Sequence, residues 1–188
     1  MDTLKAIALG LLVTWASAAP VSAASTEVVD FTDHYDWNGT PLRLNGAGVF
    51  RYRIFIKGYA AALYLGEGID ADRALDDVPR RLEIEYRWSI PAEAFAQATF
   101  EGILRNVDAT TLARLRGSIG RLNALYADVE PGDRYALTYV PGVGTELALN
   151  GEPRGLIEGA EFASALFAIW IGEQPVDERL RTQLLERS

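Results

Sequence analysis

The chain has no cysteine and a single histidine among its 188 residues. The first absence excludes disulfides, a thiolate nucleophile and any cysteine-based metal site, so stability must come from a packed core. The second excludes a histidine-rich zinc centre, and no serine sits in a G-x-S-x-G turn that could build a triad with it. No glycine-rich phosphate loop leads into a helix; Gly46-x-Gly48 and Gly142-x-Gly144 read as turns. A basic surplus is missing as well. The net charge is −8 and the pI about 4.7, the wrong sign for nucleic acid or an anionic membrane surface.

What is present is an ordinary globular mixture, 49% apolar and 23% charged. Lys5, an apolar run over residues 6–15 and small residues up to Ala23 read as a secretory leader with cleavage after Ala23. The run is too short to span a bilayer, which takes about 20 residues. The expected organisation is a leader over 1–23 and one domain over 24–188. The expected location is the periplasm or the exterior of a Gram-negative bacterium, with no membrane insertion once the leader is removed.

Residues 25–40 read as a weak strand and loop, and 41–44 as a short strand ended by Asn45-Gly46. From Val49 to Lys57 the pattern alternates: Phe50, Tyr52, Ile54 and Ile56 share one face, Arg51, Arg53, Phe55 and Lys57 the other. Tyr59 to Leu65 continues as a strand of small residues. Residues 81–88 alternate more cleanly, with Leu82, Ile84, Tyr86 and Trp88 inward and Arg81, Glu83, Glu85 and Arg87 towards water. Ser89 and Pro91 open a helix to about Asn106. Asp108 caps a second, with Leu112, Leu115, Ile119 and Leu122 as its apolar stripe. Strands follow over 133–140, 145–149 and 154–157, then an apolar helix over 159–170 and a charged one over 176–186. Strands, then helices, then a hairpin and helices again predict an α+β fold with an antiparallel sheet.

Few residues carry chemistry. His34 stands in a polar stretch; Asp76-Asp77 and Glu83/Glu85 read as solvated acidic pairs; Phe162, Leu166, Phe167 and Trp170 read as core that could also wall a pocket. Arg51 is the informative one. It faces water or lines an apolar cavity, and in a cavity its planar donor fork demands an anionic partner. Periodicity leaves both open.

Two stretches resemble a known family. "LNGAGVFRYRIFIKGYAAALYL" (Leu44 to Leu65) resembles the opening strands of chalcone isomerase and its bacterial relatives, and "AIWIGEQPVDERL" (Ala168 to Leu180) their C-terminal helix–turn–helix. The resemblance implies an open-faced β-sandwich, an antiparallel sheet with helices layered on one face and a ligand cleft between. It maps the family's anion-stabilising arginine onto Arg51. The enzymes' threonine becomes Tyr59, their small hydroxyl residue near the C-terminal motif becomes Ile169 before Trp170, and their helix tyrosine and asparagine have no counterpart.

Those losses make efficient cyclisation doubtful, since positioning carries much of such catalysis. The expectation is a non-catalytic binder of a small amphipathic, fatty-acid-like or aromatic anion. Arg51, Tyr59, Ile169 and Trp170 are its candidate ligand-binding residues. No metal or cofactor is expected, and haem, with His34 as axial ligand, is the alternative. Two competing functions stand beside it: an isomerase (intramolecular lyase) relying on Arg51 and Tyr59, and an interaction protein whose cleft is filled by Phe167 and Trp170.

Overall fold

The computed structural model describes residues 30–51 and 57–186. The leader reading at 1–23 and the rest of the arginine strand, Arg53 included, lie outside these residues. Seven strands form one curled antiparallel sheet in chain order: β1 (His34–Trp37), β2 (Thr40–Arg51), β3 (Lys57–Gly66), β4 (Arg80–Tyr86), β5 (Arg134–Val140), β6 (Gly144–Leu149) and β7 (Glu152–Ile157). The helices are α1 (Ala92–Asn106) and α2 (Ala109–Asn123) between β4 and β5, then α3 (Ala160–Ile171) and α4 (Glu178–Leu185) after β7. The fold is α+β with helices layered on the sheet, as the order of elements predicts.

Period-two alternation explains the core. Ala61, Leu63 and Leu65 of β3, Leu82, Ile84 and Tyr86 of β4, and Tyr135, Leu137 and Tyr139 of β5 are buried together. The α2 stripe Leu112, Leu115, Ile119 and Leu122 joins them, as do Phe162, Leu166 and Phe167 of α3. Arg80, which opens β4, is also fully buried there. Its guanidinium lies 4.7 Å from the ring centres of both Tyr139 and Phe167 and donates to the Asp76 and Val78 carbonyls.

Several local expectations need correction. The N-terminal residues form a hairpin, with His34 on β1 and Asn38-Gly39 as its two-residue turn, both at positive φ (51° and 84°). Asn45-Gly46 does not end a strand, and Gly46-x-Gly48 is not a turn. β2 runs through both, with a register shift between Leu44 and Gly46. The reason is the C-terminal helix packed on β2. A Cβ on Gly46 would stand 2.7 and 2.8 Å from the carbonyl oxygens of Glu186 and Leu184, and Asn45 Nδ2 donates to Leu184 O at 2.7 Å. This glycine-rich stretch is the seat of α4.

The outer face of β4 does not face water either. Phe31, Tyr35 and Trp37 pack over that side of the sheet. Arg81 is buried beneath Tyr35, with its guanidinium 3.8 Å from the ring centre and 2.8 Å from Thr138 Oγ1. Glu83 and Glu85 pair with Arg134 at 2.9 and 2.6 Å, so the acidic pair belongs to a half-buried ion network. Alternating charge looks the same in sequence whether water or counter-charge meets it.

Ser89 does not cap α1. Its hydroxyl bonds Glu130, and the carboxylate of Asp128 accepts from Ala92 N at 2.8 Å. Asp108 does cap α2, accepting from Thr111 N at 2.7 Å. Those bonds to the carboxylate hold the Asp108 pKa below its ordinary value.

Candidate functional site

Between the sheet and α1 lies a cavity of about 680 Å³, within the roughly 300–1,000 Å³ usual for small-molecule sites. The sheet supplies its floor with Leu82, Ile84, Leu137 and Leu147; α1 supplies Ala94, Phe95, Ala98 and Gly102; α3 supplies Ile169 and Trp170. Gly102 lets the two helices approach, since a Cβ there would stand 2.8 Å from Ile169. The exposed residues Trp88, Glu101 and Arg105 mark the rim.

One end is an aromatic network. Phe50 stacks on Tyr59 with ring centres 4.8 Å apart, and Tyr59 meets Tyr86 edge-on at 6.0 Å. Tyr86 in turn meets Phe95 at 5.1 Å and Tyr135 at 6.0 Å, and Tyr126 closes the set 5.7 Å from Tyr135. The register explains this: β3 and β4 pair Tyr59 with Tyr86 across the sheet.

Three of the four phenols have partners. Tyr59 accepts from Trp170 Nε1 at 3.0 Å, Tyr126 bonds Thr99 Oγ1 at 2.8 Å, and Tyr135 donates to Ala127 O at 2.9 Å. Tyr86 has no hydrogen-bond partner among the described residues. Burial raises the pKa of Tyr59, Tyr86, Tyr126 and Tyr135 above the ordinary phenol value, so all four are neutral at physiological pH.

Of the residues proposed from sequence, Tyr59, Ile169 and Trp170 line the cavity. Arg51 does not: it is exposed at the end of β2, and Phe50 occupies the wall position beside it. The strand is irregular at that point, with a register shift between Phe50 and Arg51. His34 is exposed on β1 and is not among the residues that line the cavity. Phe167 packs against Arg80 instead of filling the cleft.

Sequence reasoning missed Tyr86, Phe95, Thr99, Arg105 and Tyr126 as cavity residues. The alternation that pointed Tyr86 inward was the one available signal. Chemically, the chamber is greasy with neutral hydroxyls. The lining carboxylate is Glu101, exposed and bonded to Gln97 Nε2 at 2.9 Å. Among the described residues no cluster of three or more His, Asp or Glu side chains could hold a metal.

The chalcone isomerase-like family profile matches residues 23–186, most of the chain. The chain belongs to the chalcone isomerase-like family. No curated protein sequence matches it. The crystal structure of a fatty-acid binding protein from Arabidopsis thaliana superposes with a TM-score of 0.66. It covers 82% of this chain and 90% of that chain, at 16% identity, a level at which the likeness shows the fold. Within this chalcone isomerase-like fold, the sheet–helix cleft is walled at its α3 side by Ile169 and Trp170, neither bearing a hydroxyl.

Proposed function

We propose that the protein binds an amphipathic acid, with an acyl or aromatic body inside the cavity and the carboxylate at its rim, without transforming it. The observation that carries this reading is the chamber itself, a large apolar volume whose charged lining residues, Glu101 and Arg105, are both exposed at the edge. Such a site holds an apolar body well. It disfavours a buried anion, because among the described residues no cation inside would offset the desolvation.

The head group therefore stays near water. Tyr59, whose hydroxyl accepts from Trp170, keeps its own proton for a ligand oxygen. Two cations are available at this edge. Arg105 belongs to the lining, and Arg51 lies one residue past Phe50. Neither has an ion-pair partner among the described residues. The fatty-acid binding protein of similar fold supports this choice of ligand class.

Catalysis is disfavoured on chemical grounds. Phenolate attack on an enone needs a base or a fixed oxyanion donor set, and among the described residues the lining offers neutral phenols and two solvated charged groups at the rim, Glu101 and Arg105. The periplasmic location remains part of the proposal. It rests on the leader pattern, and the family match begins at residue 23, where that leader would end. N-terminal sequencing of protein recovered from the producing cell tests it.

The experiment is a titration of a long-chain fatty acid and its methyl ester into the wild type and Ala98→Trp. We expect one acid per chain, weaker binding of the ester, and loss of both in the variant whose indole fills the chamber. Equal binding by Ala98→Trp, or no binding by the wild type, overturns the reading.

A further inference from the structure

Tyr86 is the one cavity phenol that the fold leaves without a hydrogen bond among the described residues. It is only 6% exposed, and it lines the chamber. Its backbone is fixed on both sides, with Tyr86 N bonded to Asp133 O at 2.9 Å and Tyr86 O accepting from Gly132 N at 2.8 Å. Its ring is held by Tyr59, Phe95 and Tyr135 at 6.0, 5.1 and 6.0 Å. The hydroxyl therefore cannot swing out to solvent without breaking this packing.

Phenylalanine would fill the same place in an apolar wall. The Tyr86 oxygen is not one of the fully buried side-chain atoms without a partner, so it is reached from the chamber, and an apolar guest covering it would leave a donor unpaired at a cost. The neighbouring phenols do not satisfy it: their hydrogen bonds run to Trp170, Thr99 and Ala127, and none joins Tyr59, Tyr126 or Tyr135 to Tyr86 among the described residues. The remaining direction is the cavity.

We propose that the Tyr86 hydroxyl is a second ligand contact, which selects an acid carrying a neutral oxygen along its apolar body over the plain hydrocarbon chain. This rests on the reading of the cavity as an amphipathic-acid site and specifies its ligand: an oxo, hydroxy or epoxy acyl chain, or an oxygenated aromatic acid. A neutral oxygen is favoured because, among the described residues, the chamber offers no interior cation to support a second anion. Burial and the adjacent phenols hold Tyr86 itself neutral, able to donate to a carbonyl and to exchange both roles with a hydroxyl. A site built around such a donor discriminates against an analogue lacking the acceptor, because the donor is then left unpaired.

The test uses the full chain and displacement of a fluorescent fatty acid. Competitors are octadecanoic acid and its mono-oxo and mono-hydroxy derivatives, with the oxygen walked along the chain. We expect one narrow range of positions to bind about tenfold more tightly than the saturated acid, the factor one well-made buried hydrogen bond supplies. In Tyr86→Phe that preference falls to within about twofold, while the saturated acid binds as well as before or better. A thermal melt shows whether the variant is folded, and the positional scan on the wild type stands without it. No preferred position in the wild type, or a preference unchanged in a folded Tyr86→Phe, overturns this proposal while leaving the cavity reading intact. Failure of every acid to displace the probe overturns both.

Discussion

Trp170 of α3 donates its indole N–H to the hydroxyl of Tyr59 on β3 at 3.0 Å, tying helix layer to sheet at the edge of the cavity. Each residue has a second task, since both line the chamber. Tyr59→Phe strands the indole donor, and Trp170→Phe strands the phenol. Each should cost about 1 kcal/mol of stability, with a coupling of about 0.5–1.5 kcal/mol in the double-mutant cycle. Urea unfolding of the four proteins measures this. Strictly additive losses would show that the bond contributes nothing. Tyr59→Phe should also weaken acid binding several-fold more than Trp170→Phe, because only Tyr59 has a proton left to give.

The rim cations give a second prediction. An exposed ion pair is worth only about 0.2–1 kcal/mol, so Arg105→Ala and Arg51→Ala should each weaken the acid by no more than about fivefold. The methyl ester should be indifferent to both, and raised salt should narrow the gap between acid and ester. A hundredfold loss in Arg51→Ala would mean that its guanidinium enters the chamber when the ligand binds. Identical behaviour of acid and ester in every protein would remove the head group from recognition.

Much of the fold was legible because its signals are local and periodic. The α2 stripe, the Asp108 cap, the turn at Gly142-x-Gly144 and the alternating β4 are each set by neighbours in sequence. What escaped depends on partners far along the chain. Asp128 caps α1 from 36 residues away, Gly46 exists for the backbone of α4, and the charged face of β4 is covered by the N-terminal hairpin. The cavity was half legible for the same reason. Tyr59 and Trp170 fell in recognisable stretches, whereas Thr99 and Tyr126 meet across 27 residues and Tyr86 looked like ordinary core. Periodicity left the orientation of Arg51 open, and the register shift beside Phe50, which places it exposed at the end of β2, is not a signal that alternation carries.

The cap supplied by Asp128 is a third point of test. Asp128→Ala removes the acceptor for Ala92 N–H at the start of α1, the helix that roofs the cavity. The expected loss is about 1 kcal/mol, typical of a side-chain N-cap. Ser89→Ala should stay within about 0.5 kcal/mol, because that exposed hydroxyl bonds Glu130 and caps nothing. Thermal melts of the two variants decide it, and a larger loss in Ser89→Ala would reverse the assignment.

The two glycines of β2 should respond unequally to alanine. At Gly46 the new methyl meets backbone oxygens of the C-terminal helix, which cannot yield without displacing α4. At Gly48 it meets the Gln183 side chain, whose amide can rotate aside but whose Cβ, carried by the α4 backbone, would still lie 2.8 Å away. Gly46→Ala, which meets only backbone oxygens, should therefore fall at the upper end of the range of about 1–3 kcal/mol for overpacking, and Gly48→Ala, where part of the clash is a rotatable amide, at the lower end. Equal losses would mean that α4 yields as easily as a side chain.

Alkaline pH is where the phenols show themselves. Burial is the largest cause raising the pKa of Tyr59, Tyr64, Tyr86, Tyr126, Tyr135 and Tyr139, the last to about 12. In the unfolded chain these groups ionise near pH 10. A raised native value means that the native state holds more protons than the unfolded state above that pH. Stability is then fully present below pH 10 and falls as pH rises further, since the slope follows the protons bound by the unfolded state minus those bound by the native. Spectrophotometric titration should show these six phenols ionising in one cooperative step that coincides with loss of near-ultraviolet circular dichroism. Gradual ionisation of all of them near pH 10 with the fold intact would mean that water reaches the aromatic end of the chamber freely, and the buried, neutral donor at Tyr86 would lose its basis.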